Sequence, residues 1–140
     1  MKAREKTEYI VIHCSATPPS MNIGVQEIDR WHRQKGWSGC GYHYVIRRDG
    51  SIETGRPEDA IGAHVVDYNH NSLGICMVGG VAEKDKVTPE NNFTEAQFAS
   101  VQALVSRLRL KYPKAKVRGH RDFAKKACPS FDVKDYFTGV

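Results

Sequence analysis

Two short stretches, Tyr9-Ile10-Val11-Ile12 and the run from Leu73 to Val78, constrain most of what this chain can fold into. Each is apolar and rich in branched or bulky side chains, and each is too short to be a helix with one buried face. Each also ends on a break: His13-Cys14-Ser15 closes the first and Gly79-Gly80 the second. Runs of this kind are buried strands.

Buried strands need helices to cover them, and two segments qualify. From Gly24 to Lys35, Val25, Ile28, Trp31 and His32 recur at helical spacing, and Gly36 supplies a stop. Thr94 opens the second helix, and Gln97, three residues on, completes a capping box. The inner face of that helix is Phe98, Val101, Val105, Leu108 and Tyr112, and Pro113 ends it. Tyr42 to Arg47 reads as a strand, and Arg48-Asp49-Gly50-Ser51 as a hairpin turn into Ile52-Glu53-Thr54. Lys116-Val117-Arg118 reads as an edge strand, Asp132 to Phe137 as a short closing helix, and the polar stretch 85–92 as a surface loop. The expected fold is α/β: one domain over residues 1–140, a central mixed β-sheet flanked by two main helices and a short C-terminal helix. Residues 1–8 are expected to form a flexible N-terminal segment.

Composition agrees with one globular domain, at 140 residues, 40% hydrophobic and 26% charged. No apolar run approaches the ~20 residues of a membrane helix, so no membrane insertion is expected. The opening Met1-Lys2-Ala3-Arg4-Glu5-Lys6 has no apolar core of a secretion signal. The expectation is a protein made in a host cytoplasm, reaching an extracytoplasmic target only once the membrane is permeabilised. Cys14, Cys40, Cys76 and Cys128 form no C-x-x-C pair and read as single thiols or metal ligands rather than a disulfide framework. A net charge of +5 favours an anionic partner. Without a nucleic-acid-binding motif, nucleic acid is not the expected one.

Three candidate metal ligands stand at the ends of elements: His13 closes the first strand, and His120 and Cys128 flank a loop. Two imidazoles and a thiolate suit Zn²⁺, and three protein ligands leave a position open for water. By spacing alone, a core histidine, a surface histidine and a buried cysteine are the simpler reading. By pattern, His43 and His32 read as structural, His70 as a loop anchor, and Cys14, Cys40 and Cys76 as inert.

The surrounding motifs change the balance. His-Cys-Ser-Ala-Thr begins at His13, Gly-Tyr-His-Tyr-Val-Ile-Arg-Arg-Asp-Gly-Ser at Gly41, and Gly-Arg at Gly55. Gly-Ala-His begins at Gly62, Tyr-Asn-His-Asn-Ser-Leu-Gly-Ile at Tyr68, Val-Gly-Gly at Val78, Gly-His at Gly119 and Lys-Ala-Cys-Pro-Ser-Phe-Asp at Lys126. In this order, over nearly the whole chain, they resemble the zinc N-acetylmuramoyl-L-alanine amidases that share a fold with peptidoglycan recognition proteins. Within that family the likeness is to the small amidase endolysins of T-seven-like phages.

The resemblance implies one Zn²⁺ per chain on His13, His120 and Cys128, with Tyr42 and Lys126 as catalytic residues. It implies hydrolysis of the amide between the lactyl group of N-acetylmuramic acid and L-Ala of peptidoglycan, by a phage or prophage endolysin that lyses its host. Lys126 and the Tyr42 hydroxyl are suited to stabilise a tetrahedral oxyanion. His64, on the Gly-Ala-His segment, and Trp37 are candidates for a substrate groove, and Arg56 for a stem-peptide carboxylate, whose planar shape a guanidinium matches. Two other readings come with the family. One is a non-catalytic peptidoglycan-binding module, against which all five site residues are kept; the other is an amidase that also inhibits a phage RNA polymerase. A monomer is expected.

Overall fold

In the computed structural model, which describes residues 1–137, the two apolar runs become neighbouring strands in one sheet. β1 (Tyr9–Cys14) pairs in parallel with β4 (Ser72–Met77), in a register that sets His13 beside Cys76. β2 (Tyr44–Ile46) lies parallel on the other side of β4, and β3 (Ile52–Thr54) returns antiparallel to β2 through the expected hairpin. β5 (Lys116–Gly119) pairs in parallel with β1 and forms the edge, giving the order β3-β2-β4-β1-β5. The mixed sheet therefore has the two long apolar runs at and beside its centre, and the partly exposed β3 and β5 at its edges.

Two helices cover the two faces. α1 (Val25–Gln34) packs Ile28 against Val45, Cys76 and Val78. α2 (Glu95–Lys111) packs Val101, Leu104, Val105 and Leu108 against Ile10, Ile12, Ile46, Leu73, Ile75 and Met77. Strand alternation thus divides the sheet into two cores, each with its own helix.

The capping box of α2 forms as expected: Thr94 Oγ1 accepts the Gln97 N–H at 3.0 Å and Gln97 Oε1 accepts the Thr94 N–H at 2.9 Å. Gln97 does more than cap. Its buried amide nitrogen donates to Ile46 O at 3.2 Å and Val78 O at 2.9 Å, binding the helix start to the ends of β2 and β4. The expected closing helix is a single 3₁₀ turn (Val133–Asp135), followed by Tyr136 stacked on Phe98 with centroids 4.2 Å apart. Residues 138–140 of the expected domain lie outside the described residues.

The leading segment, expected to be flexible over residues 1–8, runs against the loop at 58–61. Ala3 bridges to Ala60, and Lys2 O accepts the Ile61 N–H at 2.9 Å. Arg4 donates to Glu58 O at 2.7 Å and Ala60 O at 2.9 Å. A guanidinium with several carbonyl acceptors in reach holds the chain where apolar contact is scarce. Among the described residues, no helix is long and apolar enough to cross a membrane.

Candidate metal centre and catalytic cleft

Each candidate ligand is delivered by a different element. His13 sits near the end of β1, 1% exposed. His120 begins a 3₁₀ turn (His120–Asp122) directly after β5, where Asp122 Oδ2 accepts the Gly119 N–H at 2.8 Å. Cys128 follows on the loop from that turn, tied back by Arg121 N–H donating to Cys128 O at 2.8 Å. β1 and β5 are parallel neighbours, so their ends bring the two histidines together, with ring centroids 4.5 Å apart. One ligand atom from each of His13, His120 and Cys128 lies within 4.8 Å of the others.

The donor set fits a divalent cation of the zinc type. Burial first, then the neighbouring His64 and His120, holds His13 well below the ordinary histidine range. Burial and Lys126 lower His120 likewise, so both imidazoles are neutral and keep a lone pair. Cys128 Sγ accepts the main-chain N–H of Cys14 at 3.1 Å. The Cys14 thiol beside it, and then burial, push Cys128 up. A cation next to the imidazoles acts on Cys128 in the opposite sense, since positive charge favours the thiolate. Among the described residues the cluster has three members, the ligand count of a catalytic rather than a structural site.

A cleft of about 520 Å³ opens beside this cluster, and its walls include His120, Tyr42, Lys126, His64, Trp37 and Phe123. The Tyr42 ring lies 5.0 Å from that of His13, between centroids. Burial raises the Tyr42 phenol well above its ordinary value, so the hydroxyl keeps its proton. Trp37 is 38% exposed, lies tilted against His32 with ring centroids 4.6 Å apart, and carries Lys35 Nζ 5.1 Å from its ring centroid.

The structure thus gathers His13, His120, Cys128, Tyr42, Lys126, Trp37 and His64 at one site. Arg56 is elsewhere. It is 8% exposed, its Nε donates to Cys40 O at 3.1 Å and its Nη1 to Ile61 O at 2.9 Å. It was expected to meet a stem-peptide carboxylate; in the structure two of its nitrogens serve loop carbonyls, and it is not part of the cleft wall.

His64 lines the cleft yet is only 8% exposed, and its ring faces the protein. His43 is fully buried, with Nδ1 accepting the Gly74 N–H at 3.0 Å and Nε2 donating to Ala60 O at 2.8 Å. His32 serves the wall of the cleft as well as the core, its Nδ1 accepting the Gly41 N–H at 2.8 Å. The loop anchor in Tyr68-Asn69-His70-Asn71 is Asn69 rather than His70. Asn69 Oδ1 accepts the N–H of His64 at 2.8 Å and of Val65 at 2.9 Å, whereas His70 is exposed. An Asn at the first position of a 3₁₀ turn, here Asn69–Asn71, is a recognisable sign of such a role.

Comparison with known proteins gives a consistent answer. The sequence model of the N-acetylmuramoyl-L-alanine amidase family matches residues 3–131. The chain is 51% identical over 136 residues to the endolysin of Escherichia phage T7, covering 97% of this chain and 89% of that protein. The endolysin of Enterobacteria phage T3 shows the same identity and coverage. Among solved structures, the N-acetylmuramoyl-L-alanine amidase LysC from Clostridium intestinale URNW superposes with a TM-score of 0.80 at 32% identity, covering 96% of this chain and 88% of that one.

Proposed function

The chain belongs to the N-acetylmuramoyl-L-alanine amidase family, and from that premise we propose a zinc amidase centred on His13, His120 and Cys128, with Tyr42 and Lys126 as its catalytic residues. It is a phage endolysin that acts on the cell wall, hydrolysing the amide between the lactyl group of N-acetylmuramic acid and L-Ala of peptidoglycan. The observation that carries the metal assignment is the meeting of three ligand atoms within 4.8 Å, beside a cleft walled by Tyr42 and Lys126.

When bound, zinc supplies a Lewis acid and an activated water at neutral pH. The protein's own groups do the rest. Neutral His13 and His120 offer lone pairs, and Cys128 offers a thiolate steadied by the Cys14 N–H. Tyr42 keeps its phenolic proton and acts as a hydrogen-bond donor rather than a base. Lys126 brings positive charge to the same wall. Donors fixed in advance favour the tetrahedral oxyanion over the flat amide, which is where catalysis gains most.

Digestion of purified sacculi tests the reading. Free L-Ala amino termini should accumulate without new reducing sugar ends, elemental analysis should find one zinc per chain, and chelation should stop the reaction reversibly. Reducing ends in place of amino termini would mean a glycosidase and sink the proposal.

A further inference from the structure

The loop bearing His64 holds one ring in one orientation. Asn69 fixes the backbone at His64, as described above. The ring then occupies space that two glycines leave open. A Cβ on Gly74, in β4, would sit 2.6 Å from His64 Cγ, and one on Gly62 would sit 2.6 Å from His64 Cδ2. Neither position tolerates a side chain while the ring is there.

Both nitrogens of that ring are engaged. Nδ1 lies 2.8 Å from His13 Nε2, and Nε2 lies 3.3 Å from Ser72 Oγ. Ser72 Oγ in turn lies 2.7 Å from Tyr68 O. The far end of this chain sets the proton positions. A carbonyl oxygen only accepts, so the Ser72 hydroxyl donates to Tyr68 O. Ser72 Oγ must then accept the proton on His64 Nε2. A neutral imidazole has one N–H, so His64 Nδ1 is left as a bare acceptor, and His13 Nε2 must carry the proton that points at it. The remaining lone pair of His13 is on Nδ1.

We infer that His64 is a positioning residue for the metal centre, holding His13 in the tautomer and ring orientation that offer Nδ1 to the ion. This rests on the proposed role of His13, His120 and Cys128. It moves His64 from the substrate to the metal, and it explains a cleft residue that turns its ring inward. The partner of a ligand imidazole is usually a carboxylate, a carbonyl or water. Here a second neutral imidazole takes that place, braced by a serine on a main-chain carbonyl. It orients His13 without adding negative charge to the site.

The tautomers can be read directly. In metal-stripped ¹⁵N-labelled protein, long-range ¹⁵N–¹H spectra should show both His13 and His64 protonated on Nε2. His64→Leu, which can neither accept nor donate, should raise the zinc dissociation constant measured by chelator competition about 10–100-fold. His64→Gln, whose amide can accept from His13 and donate to Ser72, should restore most of that affinity. His13 protonated on Nδ1 in the parent protein would overturn the inference, even if His64→Leu does not fold. So would parental zinc affinity in a folded His64→Leu. A failure of the metal site itself looks different: Cys128→Ser would then bind zinc as the parent does, and the inference would fall with it.

Discussion

The main-chain N–H of Cys14 donates to Cys128 Sγ at 3.1 Å, so two adjoining cysteines have unequal parts in the proposed metal centre. What Cys14 gives the ligand is an amide, and an amide survives side-chain replacement. Its own thiol packs by Gly80, where an added Cβ would come within 2.7 Å of Cys14 Sγ. Cys14→Ala should therefore keep its zinc, with affinity changed by less than about tenfold, the lower edge of effects from lost outer partners. Cys128→Ser should lose tightly bound zinc. Elemental analysis after dialysis against a chelator compares the two, and full metal content in Cys128→Ser would remove it from the ligand set.

Lys126→Ala and Tyr42→Phe should keep both zinc and fold while losing turnover. Both residues wall the cleft, and neither belongs to the ligand cluster. Removing one fixed donor to an oxyanion typically costs ~10²–10³ in kcat, or about 2.7–4 kcal/mol. Were Lys126 only a solvated surface charge, its loss would change the rate no more than a few-fold. Steady-state rates on a muramyl-peptide substrate, with zinc content and thermal midpoint alongside, separate the two cases.

Arg56→Leu should lower stability and leave KM alone. The substitution strands Cys40 O and Ile61 O, both of which Arg56 now satisfies. An unpaired buried polar group costs about 1–3 kcal/mol, so a drop in thermal midpoint of several degrees is expected. A large rise in KM at unchanged stability would restore the carboxylate-binding role that the sequence suggested.

These outcomes also mark what the sequence makes legible. The strands were readable because β1 from Ile10 onward and β4 throughout are buried on both faces, which leaves continuous apolar runs. The start of α2 was readable because Thr94 and Gln97 form a local device within one turn. The ligand types were readable from the residues themselves, but their convergence needed the family motifs, since it arises from parallel pairing of β1 with β5. The orientations of Arg56 and His64 were not legible for one reason: a polar side chain can turn inward as easily as outward. Which way it turns depends on partners far off in sequence, such as Cys40 O for Arg56 or the His13 ring for His64. The hold on residues 1–8 was hidden similarly, because Arg4 finds its carbonyls on the loop at Glu58 and Ala60.

The stability of the metal-free protein should fall as pH drops from about 6.5 towards 4, with His43 a principal cause. Burial lowers this histidine from 6.5 to about 4 in the folded chain. Above 6.5 it is neutral in both states and adds no pH dependence. Between the two values the unfolded chain takes up a proton that the folded chain refuses, so acidification favours unfolding. Burying a neutral histidine through that range is worth about 3 kcal/mol once pH nears 4. His13, His64, His32 and His120 are shifted in the same direction and steepen the fall. Glu58 acts in a lower window. Burial raises its pKa, but hydrogen bonds from Lys111, Tyr44 and Tyr112 outweigh that and hold it at about 2, so its contribution is present above 4.5 and is lost as pH falls from there to about 2. Denaturant unfolding from pH 7 to 4 gives the slope directly. His43→Gln, which can still accept from Gly74 and donate to Ala60, should flatten that slope. If the parent midpoint stays level down to pH 4.5, His43 is not held below the ordinary histidine range in the folded chain.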